Sequence, residues 1–382
     1  MNYKIMSLVL LSTLGIEASS LSELLSNTSV DGNLRTTYHT HDIKNDKIYK
    51  DDAIGGKLHF ETAFSNGVSF GASVYGSTTV FNDDNKGLIS LRGETRKSYA
   101  IVGEAYLKSE FGKSMFKIGR QELETPFADA DDVGMVPNTF EAATLVNNDI
   151  ENTRIFLGQV QKMSGVDAEV IDEFTKVNGS KNMQVMGLNY DGISDIVLSG
   201  WHYRLSGAEV NNINYVEASS EKELGNYAYA WGLQYSQQGH STGKSAKVWG
   251  ATLSASAHDL GLTFVGAYNE TKDNVAFSGF GGGPFFSNSE YLILDNAGKD
   301  AKANWIGFEF DASVVGLVGL NMGLGKITLE TQSKEKASEV DFVASYEFNQ
   351  DTEIHLVYSD LKGDKVGEDD AKHLRVYANY SF

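Results

Sequence analysis

The sequence predicts an all-β chain, a transmembrane antiparallel β-barrel of about 18 strands with an inward-folded third loop. Three observations predict it. Apolar and polar residues alternate in segment after segment, and many of the polar positions are charged. Short Gly/Asn/Asp turns alternate with long polar stretches. No apolar run of spanning length follows the N-terminal one. The 382 residues carry 32 Lys+Arg against 51 Asp+Glu, a formal charge of -19, with 39 Gly, 3 Pro and no Cys. So acidic a chain is a poor nucleic-acid binder, because phosphate contacts need Lys and Arg. The lack of Cys excludes disulfides, thiolate zinc sites and cysteine nucleophiles. Scarce Pro fits a chain of paired strands, where Pro cannot join the ladder.

The first element is an export signal over 1–20. Lys4 gives a basic start, Ile5 to Ile16 an apolar run, and Ala18-Ser19-Ser20 small residues for cleavage. Removal takes Lys4 and Glu17 together, so the mature charge is unchanged.

Residues 21–382 read as one barrel domain. Leu58 and Phe60 alternate with Lys57, His59 and Glu61; Tyr99, Ile101, Gly103, Ala105 and Leu107 alternate with Glu104 and Lys108. Tyr227 to Tyr235 and Val340 to Phe348 repeat the pattern. Period two with one apolar face marks a half-buried strand. A charge at alternate positions is hard to bury in a packed sandwich but sits easily in a wet lumen, with lipid on the apolar face. Eight short turns, near residues 66, 112, 148, 191, 225, 260, 315 and 350, separate nine longer stretches, near 41–52, 81–97, 121–140, 162–181, 205–211, 236–246, 270–303, 332–337 and 360–371. Seventeen connections of alternating length give about 18 strands, enough for an aqueous channel. The last strand, Leu374 to Phe382, ends on an aromatic. That ending resembles the C-terminal signal of outer-membrane barrels, which implies recognition of Phe382 by the barrel-insertion machinery.

The third long stretch, about 121–141, holds Pro126 and Pro137, apolar Phe127, Met135, Val136 and Phe140, and acidic Glu122, Glu124, Asp129, Asp131, Asp132 and Glu141. Stiff prolines and apolar residues needing cover predict a packed loop. In a pore the packing surface is the inner wall, so the loop would narrow the channel and set its carboxylates at the constriction. The alternative is a solvated acidic surface loop.

The run GRQELETPFADADDVGMVPNTFEA (residues 119–142) resembles the third loop of OprD-type outer-membrane porins, especially acidic relatives. The Gly-rich Ser278 to Phe286 resembles their seventh loop, and Gln161 to Asp167 is more weakly similar. The resemblance spans the mature chain. It implies a barrel of about 18 strands, often trimeric, with loop three folded in, and passive, sometimes selective uptake of small solutes such as basic amino acids or carboxylates. Asp129-Ala130-Asp131-Asp132 departs from members with a basic constriction, which speaks against anion or carboxylate selectivity.

Parity points Arg35, Lys57, Arg154, Arg204 and Arg375 inward, Arg204 because Trp201 and Tyr203 are read as outward. Arg120 has the wrong parity unless Gly119 makes a bulge. Such basic residues facing an acidic loop would set up a transverse field. No cofactor is predicted. A loose Ca²⁺ site from Asp129, Asp131 and Asp132 is the one weak metal option, since EF-hand spacing fails at Val133 and Phe140. His39 and His41 share a strand face but form no zinc motif, and no Gly-x-Ser-x-Gly elbow occurs. The acidic runs at 82–84 and 367–370 would meet lipopolysaccharide through divalent ions, or simply be solvated.

The expected function is a porin for passive diffusion of small hydrophilic solutes and ions, mildly cation-selective because of the acidic charge, with no reaction catalysed. The alternatives are a channel selective for amino acids or carboxylates, and an outer-membrane barrel enzyme or adhesin.

Overall fold

The computed structural model describes residues 27–46, 48–64, 67–81, 88–177 and 182–382. The predicted export signal and the acidic run at 82–84 lie outside the described residues. Within the described residues nineteen strands pair into one sheet. One is the two-residue Thr175–Lys176, alongside Thr153–Ser164. The other eighteen form the barrel. The first, Ser29–Ile43, pairs antiparallel with the last, Ala371–Ser381, from Asn33 opposite Ser381 to Ile43 opposite Ala371. Closure leaves none of these eighteen strands as a sheet edge.

The turns fall where Gly and Asn permit them. Phe111 faces Ser114 across Gly112-Lys113, and Leu224 faces Tyr227 across Gly225-Asn226. Gly112 and Gly225 take φ 60° and 64°, which a tight hairpin demands and a side chain resists. Among the described residues, 79–81, 88–97, 122–138, 165–177 and 273–301 belong to long connections between barrel strands. The predicted long stretch at 41–52 is mostly strand, because the second strand already starts at Ile48.

Alternation sorts the two faces. Leu34, Val74 and Leu233 are 49%, 50% and 55% exposed on the outside, while neighbouring Arg35, Tyr75 and Gln234 are buried inside. Exposed aromatics at strand ends (Tyr227, Phe348, Tyr380) suit interfacial girdles. Tyr99 is a correction. A bulge pairs Ser73 with Glu104 but Val74 with Val102, so the strand changes face at Gly103 and Tyr99 turns inward. It is buried with Tyr75, Leu91, Met135 and Val136.

The interior also holds an apolar cluster. Phe127 of the third loop and Phe285 and Leu292 of the 273–301 loop pack on inward Val160, Tyr203 and Tyr215. The chain therefore has two apolar destinations, lipid outside and the packed loops inside.

Candidate pore site

The third loop touches the inner wall at points about half the ring apart. At one end Arg35 Nη1 and Nη2 donate to both oxygens of Asp132, at 2.7 and 2.8 Å, and Nη1 also donates to Gly134 O at 2.7 Å. Arg35 Nε donates to Asn379 at 2.7 Å, and the Tyr377 hydroxyl donates to Val133 O at 2.9 Å. These partners lie on the first and last strands. At the other end the fully buried Phe127 ring sits 5.4 Å from Tyr203 and 5.6 Å from Tyr215. Tyr203 lies on Ile196–Leu205 and Tyr215 on Val210–Leu224, the ninth and tenth barrel strands.

A second anchor joins the loop to the second strand. Lys57 Nζ pairs with Glu122 at 2.7 Å and with Glu104 at 3.4 Å. The Tyr75 hydroxyl donates to Glu122 at 2.9 Å, and Ser73 Oγ donates to Glu104 at 2.5 Å. Below them Lys108 pairs with Glu61, and Lys117 Nζ lies 3.6 Å from the centre of the Tyr106 ring. Strands two to five thus present Lys57, Lys108 and Lys117 inward, with carboxylates threaded among them.

The glycine-rich run of the seventh loop lies against the third. Phe280 N donates to Phe127 O at 2.9 Å, and Asp129 N donates to Phe280 O at 3.2 Å. Gly281, at φ 97°, passes so close that a Cβ would meet Asp129 O and Asn138 Nδ2. Gly282 N donates to Asp131 Oδ2 at 3.2 Å. Burial raises the Asp131 carboxyl above its ordinary value, aided by Asp167, Asp129 and Asp132 and opposed by the Gly282 N–H. Burial likewise raises Asp167, opposed by the Asn138 amide.

Below the seventh loop the lumen opens into a cavity of about 760 Å³, bordered by Glu290, Trp305, Glu309, Asp311 and Asp341, with no Lys or Arg in its lining.

The sequence-predicted residues divide. Arg35, Asp132, Lys57 and Glu122 meet as two ion pairs. Asp129 accepts from Asp131 N at 3.0 Å, while Glu124 is exposed beside it in a two-residue hairpin. Arg375 faces inward, but its partner is Glu290 of the seventh loop rather than the third. Arg154 faces inward and exposed beside the turn after Asn147, away from both loops.

Three residues are corrected. Arg120 is on the outer face with Ile118, which is 47% exposed. Gly119 has φ 131°, yet the register runs on without a shift from Ile118 opposite Leu107 to Arg120 opposite Ala105, so no bulge turns it inward. Glu141, directly across from Arg120, faces outward too and pairs with Arg120 Nε at 3.3 Å and Lys162 at 3.4 Å. Arg204 faces outward because Tyr203 points in. The sequence premise fails there because the buried Phe127 offers an apolar partner inside the barrel.

The three aspartates do not converge as a calcium site. Asp132 is committed to Arg35, and Asp129 and Asp131 accept backbone N–H groups. Among the described residues no group of three His, Asp or Glu could hold a metal ion. The sequence names no site role for Tyr75, Lys117 or Glu290, and Glu104 only as one of the alternating lumen charges. Lys117 lay legible between Phe116 and Ile118, whereas nothing in the chain signalled Glu290.

A family description, outer membrane porin of the OprD family, matches residues 22–382. No curated protein sequence matches the chain. Among solved structures it resembles a BenF-like porin from Pseudomonas fluorescens Pf-5, at 17% identity and TM-score 0.80, covering 94% of this chain and 100% of that one. Pseudomonas aeruginosa OccK9 (OpdG) follows at 16% identity and TM-score 0.79, covering 94% and 99%. Acinetobacter baumannii OccAB1 matches at 17% and 0.77, covering 93% and 96%. Identities this low speak for the fold alone. Carried by the family match along the whole barrel, the conclusion is that this chain belongs to the OprD family of outer-membrane porins, channels rather than enzymes.

Proposed function

We propose that the chain passes small hydrophilic solutes and ions by diffusion, with a modest preference for cations, and that its third loop narrows the path. The carrying observation is the loop's span. Its Asp132 is tied to Arg35 on the first strand and its Phe127 packs on Tyr215 on the tenth, which supports a loop lying across the lumen rather than over the rim.

The charge balance supports the cation preference. Arg35 and Lys57 neutralise Asp132 and Glu122. No ion pair engages Glu124, Asp129, Asp131 or Asp167 among the described residues, and the cavity wall carries Glu290, Glu309, Asp311 and Asp341 with only Glu290 paired. A narrow pore focuses such an excess. One observation favours the second reading, a channel selective for amino acids. Lys57, Lys108 and Lys117 on one wall and the acidic cavity on another would orient a zwitterion. The homotrimer implied by the resemblance belongs to the same proposal. Outward Arg120, Glu141, Lys162 and Arg204 sit better against a protein neighbour than against lipid, and cross-linking in native membranes tests it.

The test is the reversal potential of the purified protein in a planar bilayer under a KCl gradient, for the wild type and for Asp129, Asp131 and Asp132 changed together to Asn. The reading expects a cation-sided potential that moves toward zero or the anion side in the variant. An anion-selective wild type, or no conductance from a folded barrel, overturns it.

A further inference from the structure

The outer face of strands twelve to sixteen carries a feature that solute passage does not use. The register of Ala246–Ala257, Leu262–Lys272, Lys302–Asp311, Leu320–Glu330 and Lys336–Asn349 sorts its outward residues into rows. Nearest the long loops the row is charged: Lys302 faces Glu330, which faces Lys336. The next row is uncharged and polar, with Asn304, Thr328 and Ser338, and Tyr268 beside Asn304. One row further into the apolar band, Lys326 lies directly between Ile306 and Val340. Below it come Phe308, Leu324 and Phe342. Rows are two residues apart, about 7 Å along a strand.

Lys326 is exposed, and no hydrogen bond or ion pair engages its ammonium among the described residues. The neighbouring acids are already taken. Glu330 holds Lys334 at 2.8 Å, Glu270 holds Lys272 at 2.7 Å, and Asp360 holds Lys362 at 3.1 Å. A lone ammonium among lipid-facing chains is costly, so its stem snorkels toward the polar row and its head needs an anion there.

Beside Lys326 runs an outward groove of about 640 Å³, walled by Leu253, Phe264, Ile306, Phe308, Leu324 and Val340. Its floor is Gly266, where an added Cβ would meet nothing within 4 Å. A flat lipid-facing wall has no such hollow. An apolar trough with one unmatched cation at its upper lip complements an acyl chain that ends in a phosphorylated head.

We propose that this face binds one phosphorylated glycolipid of the outer leaflet, with an acyl chain in the Gly266 groove and a phosphate on Lys326. The lipid contact is then direct, not bridged by divalent ions at acidic loop runs.

The test uses the full-length barrel, delipidated in detergent with EDTA present and titrated with lipid A or its dephosphorylated form, with binding read by native mass spectrometry. A one-to-one complex that prefers the phosphorylated lipid is expected. Lys326→Gln should weaken it about fivefold, the effect of one surface lysine on an anionic lipid. Gly266→Leu should weaken both lipids by filling the trough. Because both positions face outward, single-channel conductance should stay at the wild-type value in each variant, which also certifies folding. Equal binding of the dephosphorylated lipid, an unaltered Lys326→Gln variant, or loss of binding in EDTA overturns the proposal.

Discussion

Phe127→Ala is the sharpest perturbation of the third loop. The side chain is 0% exposed, and its ring contacts Tyr203, Tyr215 and Phe285 at centroid separations of 5.4, 5.6 and 6.0 Å. Removing a buried Phe side chain costs about 3–5 kcal/mol. What remains nearby is weaker. Phe127 N donates to the Tyr203 hydroxyl at 3.2 Å, and Phe280 N donates to Phe127 O at 2.9 Å. Each such bond contributes about 1 kcal/mol net. The Arg35–Asp132 pair persists but holds only the far end. A loss of about 4 kcal/mol raises the population of the lifted loop roughly a thousandfold. The barrel ladders are untouched. Single-channel recordings should therefore show larger, noisier conductance, and limited proteolysis should cut within 121–141. Heat-modifiable gel mobility should stay that of a closed barrel. Phe127→Leu, which keeps much of the apolar volume, should fall between. Unchanged conductance together with unchanged proteolysis in Phe127→Ala would refute the view that this anchor holds a loop across the channel.

Other expectations follow from particular contacts. Gly281→Val puts a branched side chain at φ 97° against Asp129 O, so it should separate the two loops at a cost of about 1–3 kcal/mol, visible as protease sensitivity in 273–301 and not in the barrel. Burial pushes the Asp295 carboxyl up to about 6, opposed by donors from Ser278. A raised folded value means the proton is held more tightly when the loop is docked. Docking is therefore firmest below the ordinary value near 3.8 and weakens as pH rises through about 6. Proteolysis of the seventh loop should be slower at pH 5 than at pH 7.5, and Asp295→Asn should flatten that difference. Phe382 exchanges backbone hydrogen bonds with Gly32 at 3.0 and 3.1 Å where the last strand meets the first. Deleting Phe382 should lower the yield of assembled barrel in the outer membrane, measured by heat-modifiable mobility, and an undiminished yield would remove it as an insertion signal.

Much of this was written in local pattern. Leu58 and Phe60 around Lys57 and His59 need only period two to be sorted, because a strand places neighbours on opposite faces. Gly112-Lys113 and Gly225-Asn226 announce their hairpins through the conformations they tolerate. Lys57 and Arg35 were legible as inward for the same reason. Arg204 was not. Its parity was read correctly relative to Tyr203, but parity alone does not say which face meets lipid when an aromatic has a partner indoors. Tyr99 was lost to one bulge, since a single extra residue exchanges the faces beyond it.

Local pattern carries a barrel of about 18 strands, the side of residues such as Lys57 and Arg35, and an acidic third loop with two prolines, because these depend on interactions between neighbours along the chain. The partners come from the folded ring. Asp132 meets Arg35 across 97 positions of sequence, and Arg375 takes Glu290 across 85. Those encounters depend on closure of the ring and on which strands each loop contacts, and no local period encodes a distance around a closed barrel.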